Sequence, residues 1–397
     1  MKFLGVLVAI AVLLAVAIHF LPVDTIIAER AASRSGYEAG EEYTDLEYRY
    51  YYNQLTENEK TAYHIICAQL TDFPGQILVP NLNTEELDAV FRAISYDNPE
   101  FFFLGNECKI YNVGGLFGSV TSLFLPEYTM TQEEYEAALT EVEDAAAQIL
   151  SSAPSSSSAY TQELYLHDTL VQTTEYDDSE DTSVFTLYGV LINHSANCEG
   201  YARTMQYLLK QQGVVNRVIT GQADDGSGDT VGHMWNVVTL NEEEYNLDVT
   251  WDDYSVAGVE NYSDKEVSHM YFNVPSSYLK STHSVEDESL WDQCTSTRLN
   301  YFTVNGTDFT LYNREARTAM AKAYARALNA GFTSVEFHFQ SDSAYQTAKA
   351  SLFTKGDIYS VIDGANALAG DNRVSANRIQ YAGDDQKHII RLFGVKN

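Results

Sequence analysis

The 397-residue chain predicts an α+β fold made of more than one unit. Three observations carry that expectation. Helix-start signals recur along the chain and are interleaved with short strand-like runs rather than strictly alternating with them. The composition, 45% hydrophobic and 20% charged, is that of a chain with a sizeable core and not of a disordered one. The charge is also split, because residues 294–397 carry a net +3 while the 293 residues before them carry −35. A break of that kind points to a separate C-terminal unit. The overall charge of −32 excludes nucleic acid as a partner, since phosphate binding needs concentrated Lys and Arg.

The chain opens on "MKFLGVLVAIAVLLAVAIHFLPV", an apolar run behind Lys2 broken only by His19. Its length suits a membrane span of ~20 residues, and a signal peptide has a shorter apolar region with a clear small-x-small site. Residues 1–30 therefore read as a membrane anchor, or as a signal sequence if cleaved, and both place the body outside the cytoplasm. Residues 31–50 are polar and Tyr-rich and read as a spacer.

A mainly helical region follows, taken as 31–155 with its linker. Thr56 and Glu59 have capping-box spacing ahead of "KTAYHIICAQL", and Thr131 and Glu134 repeat it ahead of "YEAALTEVEDAAAQIL". Asn83 or Thr84 caps "EELDAVFRAI", where Leu87, Val90, Phe91 and Ile94 form one apolar stripe. Between them, "DNPEFFFLGNECKIYNV" reads as a loop leading into strands. "SSAPSSSSAY" at 151–160 is the clearest linker. Beyond it lies a second unit, 156–293, with a helix "TQELYLHDTLVQTTEYD", an acidic loop "DDSEDTS", and a helix "NCEGYARTMQYLLKQQG" stopped by Gly213. "VNRVITG", "HMWNVVTL" and "YNLDVTW" then read as strands. A third unit, 294–397, is a small α+β domain. It opens on "YFTVNGTDFTLY", where Asn305-Gly306 signals a hairpin, followed by a helix from Arg314 to Asn329 and a strand "SVEFHF".

Four cysteines do not make a disulfide scaffold in a chain of this size. A Cys67–Cys108 pair is conceivable in an exported protein, but separate thiols are the favoured reading.

The chemistry converges on Cys198. A thiol is a useful nucleophile only as a thiolate, which needs a base, a positive environment, or both. Cys198 opens a predicted helix, where unpaired N–H groups favour an anion. His233 and Asp248 lie on the two strands flanking "NEEE". If Asn241 and Glu242 form a two-residue turn, Leu240 pairs with Glu243 and Asp248 falls opposite Trp235, one diagonal step from His233. Diagonal neighbours sit ~7–8 Å apart, and the even loop keeps both side chains on one face. Glu242 is an unfavoured residue for such a turn.

"CEGYA", "GHMWNVV" and "YNLDVTWDD", in this order, resemble the signature segments of the transglutaminase-like superfamily, in particular its bacterial cell-surface branch. The resemblance reaches from "LHDTLVQTTEYD" to "YFNV", roughly residues 160–285, and "DNPEFFF" is similar to a region that often precedes this core. It implies a papain-like core with the helix of the nucleophile against an antiparallel sheet. It also implies that Cys198 is the nucleophile, His233 the general base and acid, and Asp248 the acid that orients the imidazole. The expected activity is extracytoplasmic acyl transfer through a thioester. That makes the chain a cysteine peptidase or amidase on peptide, surface-protein or cell-wall substrates, with a cross-linking transglutaminase or a non-catalytic scaffolding module as the alternatives. No cofactor is expected.

Trp235, Trp251 and Tyr201 are candidates for substrate contact, although strand aromatics are more often core. His167 and Asp168 read as packing or capping residues, and His194 as a loop residue. "ADDGSGD" at 223–229 lacks the bidentate Glu of a calcium loop and reads as solvated. The backbone N–H of Cys198 is the first candidate for an oxyanion donor.

Overall fold

The computed structural model describes residues 45–114, 120–155, 158–224, 229–253, 267–285 and 287–395. The predicted anchor and most of the spacer lie outside these, as do residues 225–228 of the "ADDGSGD" segment. Among the described residues no helix is long and apolar enough to cross a membrane.

Folded structure begins within the expected spacer. Arg49 is buried, donating to the Tyr63 hydroxyl (2.8 Å) and to Asn98 Oδ1 (3.0 Å). The next residues form α1 (Tyr50–Gln54), and the amides of Tyr51 and Tyr52 donate to the Asp97 carboxylate. The expectation of a spacer up to residue 50 is thus corrected for residues 45–50, where Arg49 is buried and Tyr50 opens α1.

Helices α2 (Glu57–Leu70), α3 (Thr84–Asp97) and α4 (Gln132–Ser152) each start on a complete capping box, from Thr56, Asn83 and Thr131. Between them β1 (Ile77–Val79), β2 (Leu104–Gly114) and β3 (Val120–Tyr128) make an antiparallel sheet in the order β1-β3-β2. The Ser-rich linker is a short connection, because Ser158 already caps α5 (Ala159–Thr173). Two-residue strands β4 (Glu175–Tyr176) and β5 (Ser195–Ala196) pair in parallel just before α6 (Cys198–Gln211), which ends at Gly213 with φ of 73°.

Against α6 lies the central antiparallel sheet: β6 (Asn216–Asp224), β7 (Thr230–Leu240), β8 (Glu243–Leu247) and, after α7 (Ser276–Leu279), β9 (His283–Ser284). Its order is β8-β7-β6-β9. The β7–β8 register is the expected one, Leu240 opposite Glu243 and Asn236 opposite Leu247. The turn holds Asn241 and Glu242 at φ of 52° and 65°, a primed hairpin in spite of the glutamate. One face of this sheet (Val218, Met234, Val238) joins a buried cluster that runs from Tyr51 to Phe272, and the other (Ile219, Trp235, Val237) packs on Tyr271 and Trp291.

The last stretch holds α8 (Tyr301–Asn305), β10 (Asp308–Phe309), α9 (Arg314–Asn329), β11 (Ser334–Phe339), α10 (Asp342–Lys349), α11 (Asp357–Leu368), β12 (Gln380–Asp384) and β13 (Ile389–Phe393), with strands ordered β10-β11-β13-β12. Here one expectation fails. Asn305-Gly306 is not a hairpin turn: Asn300 caps α8, Phe302 is buried, and Gly306 at φ of 65° closes that helix. A left-handed residue suits a helix end as well as a primed turn, and the dipeptide alone does not choose between them. All four cysteines are free thiols.

Candidate active site

Cys198 is the first residue of α6. The side chain of Asn197 caps that helix by accepting from the amides of Glu199 and Gly200. Among the described residues the amide of Cys198 itself donates to nothing, so one N–H stays available beside the thiol. Gly200 has a steric cause. A Cβ there would stand 2.4 Å from the Val184 carbonyl oxygen, so only glycine lets the first turn of α6 seat against residues 182–185. Gly221 has the same role across the sheet. It pairs with His233 in the ladder, and a Cβ would meet the Ser284 carbonyl oxygen at 2.1 Å.

The ring of His233 is 7% exposed, and its Nε2 lies 2.7 Å from Asp248 Oδ2. The Cys198 sulfur contributes to the pKa shift of His233, and with Nε2 engaged by Asp248 the ring nitrogen left for it is Nδ1. Burial by itself would lower the imidazole pKa. The charge and hydrogen bond of Asp248, together with the Cys198 sulfur, outweigh it and raise His233 to about 10. Asp248 is equally buried, yet the two imidazoles it touches hold its carboxyl well below the usual range.

Asp248 has a partner that sequence reading missed. His283 Nε2 reaches the same Oδ2 at 3.0 Å, its Nδ1 meets the Thr282 hydroxyl at 2.9 Å, and the amide of Trp251 donates to Oδ1 at 3.1 Å. Burial lowers the pKa of His283, so one of the two rings on this carboxylate favours the neutral form and the other the charged one. A strand of two residues, 35 positions from Asp248, offers no periodicity that would have announced it.

The three aromatic candidates are not brought to the open site. Trp235 is 1% exposed, inside the core, with its indole N–H on Asn246 Oδ1. Tyr201 is fully buried and donates to Asp253 Oδ2 at 2.5 Å. Trp251 packs on His283 with ring centroids 4.5 Å apart. None of them lines the cavity that holds the thiol. His194 is exposed in a left-handed turn away from that cavity as well. His167 and Asp168 are not simple capping residues. They belong to a separate buried network with Asp252, His269 and Glu336.

The cavity measures about 600 Å³ and exposes Cys198 and His233 on one wall. Phe91, Arg92 and Ser95 of α3, with Asn106 of β2, form the opposite wall. Arg203 joins the two walls by donating to the Ser95 carbonyl (2.5 Å) and hydroxyl (2.8 Å) as well as to Glu199. The N-terminal region therefore builds half of the site.

Residues 144–251, which include Cys198, His233 and Asp248, match the family model described as the transglutaminase-like superfamily. The chain contains a transglutaminase-like domain. Its α+β class accords with that domain. Among solved structures, the chain is similar to one described as a TGase, at 17% identity over 44% of this chain and 51% of that one, with a TM-score of 0.26. A candidate cysteine protease from Cytophaga hutchinsonii is 12% identical over 36% of this chain and 62% of that one, with a TM-score of 0.24. The matched part thus spans about half of the first and less than two thirds of the second. No curated protein matches the chain. The matched stretch begins within α4 and ends just past Asp248, so His283 lies beyond it.

Proposed function

We propose that the chain is a cysteine peptidase or amidase that works outside the cytoplasm, held to the membrane by its apolar N-terminal segment. The observation that carries the reading is the 2.7 Å bond from His233 to Asp248, with Cys198 and His233 lining one cavity. A buried carboxylate that keeps the imidazole charged favours transfer of the thiol proton to His233, giving a thiolate and imidazolium pair.

In this scheme the Cys198 sulfur attacks a carboxamide or peptide carbonyl carbon, and the developing oxyanion takes the free Cys198 N–H. The C–N bond breaks as His233 gives its Nδ1 proton to the departing amine, leaving a thioester. Water then attacks that carbon, loses a proton to His233, and releases the acid and the thiol. An amine in place of water would give cross-linking instead. Entry between α3 and β7 suits an extended peptide, and the export signal makes surface or wall peptides the natural substrates.

The test is the rate at which a thiol-directed electrophile labels Cys198 across pH, in the wild type, Cys198→Ala and His233→Ala. The reading expects labelling at neutral pH far above that of a free thiol, lost in both variants. If Cys198 reacts like an ordinary cysteine whether or not His233 is present, the enzyme reading fails. A peptide-library digest, run with and without added primary amine, then separates hydrolysis from amine transfer.

A further inference from the structure

Outside the active site, His167, Asp168 and His269 bring three donor atoms together. His167 Nδ1 and His269 Nε2 each lie 3.0 Å from the same oxygen, Asp168 Oδ1, and all three ligand atoms fall within 4.8 Å of one another. For ligand bonds of ~2.1 Å, donors separated by 3.0 Å subtend close to a right angle at a shared cation, so each histidine and the Asp168 carboxylate fit adjacent positions around one ion.

Behind the two histidines stand two further carboxylates. Each histidine turns its other nitrogen to a second carboxylate: His167 Nε2 to Asp252 Oδ2 at 3.2 Å, and His269 Nδ1 to Glu336 Oε2 at 3.1 Å. Asp252 and Glu336 are both buried. A carboxylate behind the far nitrogen is what fixes tautomer and orientation in metal-ligating histidines. The ring of His269 is also held flat against Tyr301, with centroids 3.7 Å apart at 3°. By contrast, in the His233–Asp248–His283 group, which converges just as closely, the far nitrogen of His283 meets a threonine hydroxyl, and among the described residues no further carboxylate stands behind either ring.

The third feature is access. Asp168 and His269 line a cavity of about 880 Å³ between α5 and the C-terminal α9–β11 unit, which leaves room for water or a further ligand on an ion. Charge also fits. Asp168, Asp252 and Glu336 supply three negative charges, and Arg391, paired with Glu336, supplies one positive.

We propose that His167, Asp168 and His269 bind one divalent first-row transition cation, which pins α5, the segment 267–271 and β11 to the loop that follows Asp248. Through Asp252, which also accepts from the Tyr271 amide, the ion steadies the chain next to the active site without touching substrate.

The experiment uses the full chain, stripped with a chelator and titrated with Zn²⁺ by calorimetry, and with Co²⁺ followed by visible absorption. One ion per chain is expected, with release of protons and a melting temperature raised by several degrees. The Co²⁺ bands should vanish on adding one equivalent of Zn²⁺. Asp168→Asn should weaken binding at least ~10-fold, and Glu336→Gln, behind the ligand, by ~10–100-fold. Cys198→Ala should bind as the wild type does, which separates this site from the thiol and keeps the outcome independent of the proposed activity. If the wild type takes up neither ion, the group is a purely hydrogen-bonded network and the proposal falls. It falls equally if Cys198→Ala abolishes uptake or if Asp168→Asn leaves it unchanged.

Discussion

His233 is buried, and burial alone would favour the neutral ring. That its pKa instead rises to about 10 follows from Asp248 and from the Cys198 sulfur. The sign follows directly. A pKa raised from 6.5 keeps the imidazolium through neutral pH, so the proton for the leaving amine is lost only as pH climbs through about 10. We expect kcat/KM to hold across neutral pH and fall there. Asp248→Asn should bring that fall to lower pH and cut kcat by about 10²–10⁴-fold, measured as pH–rate profiles. His283 acts on Asp248 from the other side, and its hydrogen bond is one of the causes that hold the carboxyl down. His283→Phe keeps a ring against Trp251 but removes that donor. The acid limb of the profile should then move to higher pH, with kcat reduced by about 10-fold or more and KM little changed. A side chain that merely filled space would leave the limb where it is. Cys198, His233 and Asp248 were legible in the sequence because each sits beside a local signal: a helix start, a strand and a countable turn. His283 was not, because what places it is a two-residue pairing with β6 and not any pattern of its own.

At the scale of elements, legibility followed how local the determinant is. Capping boxes at Thr56 and Thr131, the span Arg314–Asn329 and the strand Ser334–Phe339 all depend on residues within one turn or one alternation, and each was read directly. The β7–β8 register came from a two-residue turn at Asn241–Glu242, and it survives an unfavourable residue in that turn. Glu242 holds φ of 65°, a conformation that costs a residue with a Cβ ~1–2 kcal/mol. Glu242→Gly should therefore stabilise the protein by roughly 0.5–1 kcal/mol in urea unfolding, after glycine's own entropy is set against the relief. Gly200 is the opposite case. Gly200→Ala places a methyl against the Val184 carbonyl, which sits in backbone that cannot yield cheaply. A loss of about 1–3 kcal/mol is expected, along with slower labelling of Cys198 as the first turn of α6 is pushed out. The Asn305-Gly306 pair shows the limit of such reading, since the need for a left-handed residue was seen but the partner strand was assumed.

For the whole molecule, the sequence drew a line at the Ser-rich linker that the packing does not respect. The buried cluster from Tyr51 to Phe272 crosses residue 155, and the Tyr51 hydroxyl donates to the Val218 carbonyl at 2.8 Å. The cysteine wall of the cavity is tied to α3 through Arg203, and composition could not reveal this because the contact spans more than a hundred residues. Arg203 is 8% exposed, and its partners Glu199 and Ser95 belong to the two different walls. Removing it leaves the Glu199 carboxylate half-buried and unpaired, the situation in which breaking an ion pair is most damaging. Arg203→Ala should cost about 3 kcal/mol. If the walls are one cooperative body, that loss lowers a single transition, which intrinsic fluorescence and hydrogen exchange in α3 and α6 report together. If they were independent units joined by a linker, α6 would loosen while exchange in α2 and α3 stayed as in the wild type. The shared core argues for the first outcome, because the apolar faces of α3 and α6 are buried in the same cluster and neither can open without uncovering the other.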